Sequence, residues 1–324
     1  MKKDFKIEDI KVIQAPLAGV SDCVFRGLIR EYGSNCLLTT EMLSAEALNN
    51  CPNPKGAILK FEDIEYPISF QLVGHKPQMM AKCAKLLEER ASAIDLNFGC
   101  PVQKVVKSGD GSAMMKTPQI ACDIVKAIKD VINIPLSAKF RLGWSSDSEN
   151  YLEFGKMLEV AGVDYVVLHA RTRSQLYSGS ADWEKIGKLK KELKIPVFGN
   201  GDIKTLDDAI NALNLSKADG IAIGRGIMGD FSLPKRIEDY ITKGVKMSEP
   251  DLIEKIKMLR IHLEREIELR GERVAIPFIR KFYGFYISGV KNASKYRQVL
   301  VTLNDLDEIY KNLDLIADEV CQNV

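Results

Sequence analysis

The residues able to do chemistry in this sequence come in groups, each closing a short apolar run. They are Pro16, Leu17 and Ala18; Glu41; Gln71; Asn97-Phe98-Gly99-Cys100-Pro101; Lys139 and Arg141; His169 and Arg171; Asn200-Gly201-Asp202; and Gly224-Arg225-Gly226. The last two groups combine glycines, whose backbone N–H groups can approach an anion closely, with an arginine fork suited to phosphate. Glycines also serve tight turns, so either loop alone is ambiguous; together they favour a phosphate-bearing ligand. Gln71, Lys139 and the Pro16-Leu17-Ala18 stretch suit a flat, hydrogen-bonding heterocycle. A lysine there would stabilise negative charge on a ring nitrogen or oxygen, as a reduced flavin requires. The other reading of Lys139 is a buried ion pair, and that of His169 a core tautomer bonded to backbone.

The elements that must position these groups are eight β-type runs, at residues 12–16, 36–41, 67–72, 93–97, 135–140, 165–170, 196–200 and 220–224. They are apolar and β-branched and are often entered through Pro or Gly. Amphipathic stretches lie between them, among them residues 77–90 and 117–130, the latter with Thr117 as cap and a proline at the first helical position. Eight strands alternating with helices predict an α/β fold, a (β/α)8 TIM barrel over residues 1–242. A doubly wound open sheet is the alternative, but no Gly-x-Gly-x-x-Gly opens the first helix. In a barrel the chemistry sits where strands end, which is where the polar groups fall. Residues 243–324 read differently, as an appended all-helical domain with helices over 249–270, 274–287, 294–300 and 304–318.

The 324 residues hold 46 Lys and Arg against 44 Asp and Glu, a net charge of +2, so the chain is not basic all over. An ordinary composition excludes collagen-like, coiled-coil and disordered classes. No apolar run reaches the ~18 residues of a membrane span, and the charged N-terminus does not read as a signal peptide. The seven cysteines (Cys23, Cys36, Cys51, Cys83, Cys100, Cys122 and Cys321) form no Cys-x-x-Cys pair, so no disulfide framework, zinc site or iron–sulfur cluster is expected. A cytoplasmic, metal-free protein in a reducing compartment fits that usage. Charge is concentrated in residues 270–300, where Arg270, Arg273, Arg280, Lys281, Lys291, Lys295 and Arg297 face one acid, Glu272. Phe278, Phe282, Tyr283, Phe285, Tyr286 and Tyr296 are interleaved there. This reads either as a solvated face over an aromatic core or as a phosphate-binding surface with stacking platforms.

On Ala15 to Arg26, Gln71-Leu72-Val73-Gly74, Asp95 to Pro101, Lys139 to Trp144, and His169-Ala170-Arg171-Thr172-Arg173 through Ala181-Asp182-Trp183, the sequence resembles the tRNA-dihydrouridine synthases. The resemblance implies an FMN-binding barrel joined to a tRNA-binding helical domain. It further implies NADPH as reductant, hydride transfer to carbon 6 of a uracil in tRNA, and proton donation to carbon 5 by Cys100. A thiol with its ordinary pKa near ~8.5 stays mostly protonated at neutral pH and suits that role. By motif, Pro16, Leu17, Ala18, Gln71, Lys139, His169, Asn200, Gly201, Asp202, Gly224 and Arg225 would contact FMN, while Asn97 and Arg141 would contact the base. Arg280 and Lys281 would contact tRNA, although Phe282 and Phe285 stand where the family often has His and Trp. A monomer is the expected state. Three other functions compete: a dihydroorotate dehydrogenase-like flavin barrel acting on a free pyrimidine, a redox-free phosphate-binding barrel, and a non-catalytic RNA-binding protein.

Overall fold

Strand side chains alternate between two faces, and that period decides what the barrel carries inside. The computed structural model describes residues 6–51, 61–289 and 291–321. Its strands are β1 (Val12–Gln14), β2 (Leu38–Thr39), β3 (Leu43–Ser44), β4 (Ile68–Val73), β5 (Ala93–Phe98), β6 (Leu136–Arg141), β7 (Tyr165–His169), β8 (Val197–Asn200) and β9 (Gly220–Ile223). All pair in parallel, in the order β1-β9-β8-β7-β6-β5-β4-β2, with β3 also on β4. A bridge between Ile13 and Leu37 brings β1 beside the β2 stave. There Gln14 N donates to Leu37 O at 2.9 Å and Leu37 N donates to Val12 O at 3.0 Å. With β2 and β3 as one interrupted stave, this is the eight-stave (β/α)8 barrel expected from the sequence, not an open sheet.

Outward residues such as Ile94, Leu96 and Phe98 on β5 and Leu136, Ala138 and Phe140 on β6 join the large core beneath the helices. Inside, Ile13, Leu37, Tyr165, Val167 and Phe198 form a smaller plug. The alternation then delivers Gln71, Asn97, Lys139, Arg141, His169 and Asn200 inward. Cross-strand register sets Asn97 beside Lys139, Arg141 beside His169, and His169 beside Asn200.

Two local expectations need correction. Helix Pro118–Lys129 does have proline in its first turn, but Thr117 makes no side-chain cap hydrogen bond; its backbone, at φ −129° and ψ 61°, is not the extended form typical of an N-cap. The stretch 274–287 is not one helix: Glu272–Ile279 gives way to a 3₁₀ turn at Arg280–Phe282 and then to Tyr283–Tyr286. The tightened turn buries Phe282, Tyr283 and Tyr286 while leaving Phe285 37% exposed. For three of the six interleaved aromatics, the core reading therefore holds. Among the described residues no helix is long and apolar enough to cross a membrane. The side chain of Cys321 lies outside the described residues.

The C-terminal helices are Leu252–Arg270 and the pieces above, followed by Ala293–Leu300 and Leu306–Cys321. They pack on the barrel through edge-on aromatic contacts of His262 with Phe231 at 5.4 Å and Phe25 at 6.4 Å between centroids, and the seam continues on either side as Phe25 to Phe231 at 5.2 Å and His262 to Phe282 at 4.6 Å. Burial pulls His262 down to about 3, so the imidazole is neutral and shares a 2.9 Å hydrogen bond between Nδ1 and the Tyr286 hydroxyl. At Gly229 (φ +84°) a Cβ would lie 2.7 Å from the Phe285 backbone, so this loop needs glycine for both conformation and space.

A polar tie borders the aromatic seam. Asp22 caps helix Cys23–Glu31 through Phe25 N at 3.0 Å and pairs with Arg270, which also bonds Glu266. Burial, then the neighbouring Glu266 charge, raises Asp22 from 3.8 to about 6. The folded state thus holds a proton that the unfolded chain has released, and the associated stability is full below the unfolded value and lost as pH rises through 6. Asp22→Asn preserves the cap and removes this titration. Thermal unfolding across that window should then lose a pH dependence on the order of 2 kcal/mol; an undiminished slope would assign it to other groups.

Candidate active site at the barrel mouth

A cavity of about 590 Å³ opens at the C-terminal ends of the strands. Its wall includes Pro16, Leu17, Ala18, Gln71, Asn97, Cys100, Lys139, Arg141, His169, Asn200, Gly201, Asp202, Gly224, Arg225 and Lys281. Of the site residues expected from the sequence, only Arg280 is absent from it.

One wall is a chain of amides. Gln71 Nε2 donates to Asp95 Oδ2 at 2.6 Å, and Gln71 Oε1 accepts from Asn97 Nδ2 at 2.8 Å. Asn97 Oδ1 in turn accepts the backbone N–H of Cys100 at 2.8 Å and of Gly99 at 3.1 Å. Burial pushes the Cys100 thiol up from its ordinary value, so it is held protonated at neutral pH. Arg141 braces the same turn: its Nε donates to Gly99 O, and its Nη1 to Thr172 O and Leu176 O, each at 2.9 Å.

Across the floor, Lys139 Nζ donates to Asn200 Oδ1 at 2.9 Å, and Asn200 Nδ2 donates to Ala222 O at 2.8 Å. Desolvation, then the Arg141 charge, pulls Lys139 down to about 8. His169 is driven well below its ordinary value by burial and the surrounding cations, so it is neutral and offers one donor and one acceptor. The two glycine loops meet backbone to backbone. A Cβ on Gly226 would lie 2.1 Å from Ile203 O, and one on Gly201 (φ +136°) would lie 2.6 Å from Ala181.

Three contributors escaped the sequence reading. Arg171 closes a strand, but nothing in its spacing reveals its role; buried, it donates to Gly179 O at 2.6 Å and pairs with Asp202 Oδ2 at 2.7 Å. Tyr177 stands at the mouth with the Arg225 guanidinium 4.4 Å from its ring. Gly111 backs the cysteine turn: at φ +59°, a Cβ there would fall 2.8 Å from Cys100 O and 2.9 Å from its Cβ. The paired glycines at 109 and 111 were the available signal. Gly111→Ala should keep the fold yet displace Cys100, cutting activity about tenfold or more. Circular dichroism and turnover measured together check this, and full activity would show that the turn relaxes harmlessly.

The basic stretch divides. Arg270 pairs with Asp22, Arg297 donates to Ile287 O at 3.0 Å, and Arg280 Nη2 donates to Leu303 O at 2.9 Å and Asn304 Oδ1 at 2.7 Å. Lys281 bonds Gly19 O at the cavity rim and lies 3.4 Å from the Phe278 ring centroid. Arg273, Lys291 and Lys295 are exposed.

Comparison with known proteins agrees in kind. The family described as Dihydrouridine synthase (Dus) matches residues 13–322. A probable tRNA-dihydrouridine synthase of Rickettsia conorii is 38% identical over 298 residues, covering 91% of this chain and 89% of the relative. The tRNA-dihydrouridine synthase B of Pseudomonas syringae pv. tomato is 33% identical over 312 residues, covering 96% and 92%. Among solved structures, a 2-naphthoyl-CoA reductase complex superposes with TM-score 0.55 at 12% identity, over 70% of this chain and 49% of that one. An old yellow enzyme homologue from Zymomonas mobilis gives 0.50 at 12% identity, over 76% and 92%. At that identity the likeness concerns the barrel fold.

Proposed function

This chain belongs to the dihydrouridine synthase family, and on that footing we propose that it reduces the 5,6 double bond of specific uridines in tRNA at the mouth of its barrel. The observation that carries the reading is the placement of Cys100, a protonated thiol, on one cavity with Lys139, Asn97 and Arg141.

The residues present fit flavin mononucleotide. Lys139 Nζ has one side-chain acceptor, Asn200, and is left able to bond a ring atom. Arg171 Nη1 is buried without a partner, beside loops whose glycines keep the wall bare. Pro16, Leu17 and Ala18 would pack on the ring, Gln71, Lys139 and His169 would bond its polar edge, and Asn200, Gly201, Asp202, Gly224 and Arg225 would surround ribityl and phosphate. Held there and reduced by NADPH, a flavin would supply the hydride for carbon 6 of the uracil.

The protein's own groups do the rest. Cys100 gives its proton to carbon 5 as the second new C–H bond forms, and the thiolate left behind recovers a proton from water. Asn97 holds the cysteine turn through Oδ1 and has a second Nδ2 hydrogen for the base. Arg141 spends Nε and Nη1 on backbone carbonyls, so Nη2 is its group for a uracil oxygen.

Drawing a uracil out of folded tRNA costs a few kcal/mol, which backbone contacts can offset. We assign that contact to the helical part, residues 243–324, and within residues 270–300 to exposed Arg273, Lys291 and Lys295 together with Lys281. Reversing Arg273, Lys291 and Lys295 to Glu should weaken tRNA binding and reduce its salt slope by about one for each phosphate that no longer meets a cation. Binding unchanged at moderate salt would place the tRNA elsewhere. Arg280 is a poor probe, because its reversal also breaks the bonds to Leu303 and Asn304.

The function is tested with purified protein, NADPH and tRNA lacking dihydrouridine. A flavin spectrum with NADPH oxidation stimulated by that tRNA, and not by free uridine or dihydroorotate, is expected. Turnover of a free pyrimidine would support the dihydroorotate dehydrogenase-like reading, and absence of flavin would support a redox-free barrel.

A further inference from the structure

Asp95 touches neither the cysteine turn nor the open part of the cavity, yet it terminates the chain of hydrogen bonds that reaches Cys100. It is 4% exposed, and its carboxylate accepts from Ser137 Oγ at 2.6 Å and from Gln71 Nε2 at 2.6 Å. Gln71 and Ser137 are fully buried, so neither side chain can turn to water for a partner. At the far end stand the N–H groups of Cys100 and Gly99, which can only donate.

Backbone N–H groups can only donate, so the cysteine end fixes the polarity of the chain; at the other end both Asp95 oxygens act as acceptors, although burial raises the pKa of this carboxyl group. Two side-chain amides lie between, and an amide can present either its oxygen or its nitrogen. Only one arrangement satisfies every link: Gln71 nitrogen to Asp95, Asn97 nitrogen to Gln71 oxygen, and Asn97 oxygen to the cysteine turn. If either amide turned over, two donors or two acceptors would face each other in a desolvated wall.

We propose that Asp95 is a positioning residue for Cys100, acting through Gln71 and Asn97 to fix the backbone that aims the thiol. The proposal rests on the reading of Cys100 as the proton donor. The hydrogen-bond claim itself can be measured without flavin, tRNA or turnover, so the two can fail separately.

Amide hydrogen exchange in flavin-free protein tests it. Asp95→Leu removes the acceptor, and the Cys100 N–H should exchange about five to ten times faster. Amides in the β5–β6 ladder, such as Leu96 and Phe98, should keep their protection. The rate of Cys100 alkylation should change in the same variant. Asp95→Asn should return both readouts most of the way to wild type, because its oxygen can face Gln71 while its nitrogen faces the Ser137 hydroxyl, which can turn to accept. Ser137→Ala removes a bond to Asp95 without touching the chain and should leave Cys100 N–H exchange unchanged.

If Asp95→Leu does not fold, Gln71→Leu cuts the next link and should release the same N–H. Wild-type Cys100 exchange in a folded Asp95→Leu or Gln71→Leu protein would overturn the proposal. So would exchange that rises equally along the whole of β5 and β6, since that marks general loosening.

Discussion

Cys100→Ala protein should bind flavin and be reduced by NADPH as wild type, yet form dihydrouridine in tRNA about 10²–10⁴ times more slowly. The split follows from position. Cys100 lies beyond the end of β5, on the turn that Asn97 and Arg141 brace, whereas the groups assigned to flavin lie on other strands. Removing the thiol leaves the polar floor of Lys139, Asn200 and His169 intact. It also removes a held proton: burial raises the thiol's pKa, so wild-type protein presents the acid form across the neutral range. A methyl group in its place opens a small space but provides no donor, and water admitted there lacks the fixed aim. Rapid mixing separates the two half-reactions. Slowing of both halves alike would mean that Cys100 supports the cavity as a whole.

The second large effect belongs to Lys139. Lys139→Met should slow reduction by NADPH and loosen flavin, losing about 10²–10³ in rate, the usual cost of one fixed electrostatic group at developing charge. Methionine keeps most of the length and removes the cation. The wild-type ammonium is poised, since desolvation and Arg141 pull it down to about 8. The sign is definite: a lowered amine pKa means that the charged form is present below 8 and lost as pH rises through it. In wild type the reductive half-reaction should therefore weaken above that point, and in Lys139→Met the alkaline fall should vanish with most of the rate. An unchanged alkaline limb in the variant would assign the titration to another group.

Much of this site was legible because barrel geometry converts sequence period into direction. Lys139 and Arg141 stand two apart on β6 and both face inward, as do Asp95 and Asn97 on β5. Strand-end reading therefore found the cavity wall nearly complete. It failed where tertiary contacts decide the outcome. Arg280 and Lys281 are neighbours of like charge, but a 3₁₀ turn sends one to Leu303 and the other to the barrel rim at Gly19. Phe282, Tyr283 and Tyr286 read equally well as stacking platforms until the buried seam with Phe25, Phe231 and His262 claims them. Thr117 has the right residue type for a cap and the wrong backbone angles. Gly111 is invisible as a site residue because its role is the absence of a side chain behind Cys100.

On the reading proposed above, this cavity reduces uridine in tRNA with Cys100 as the acid. The decisive measurement maps dihydrouridine in tRNA from a host lacking its own synthases, supplied with wild-type protein or with Cys100→Ala. Dihydrouridine should be restored at defined positions by wild type and be absent with the variant. Dihydrouridine at wild-type levels with Cys100→Ala, or none with the active wild-type flavoprotein, would contradict it.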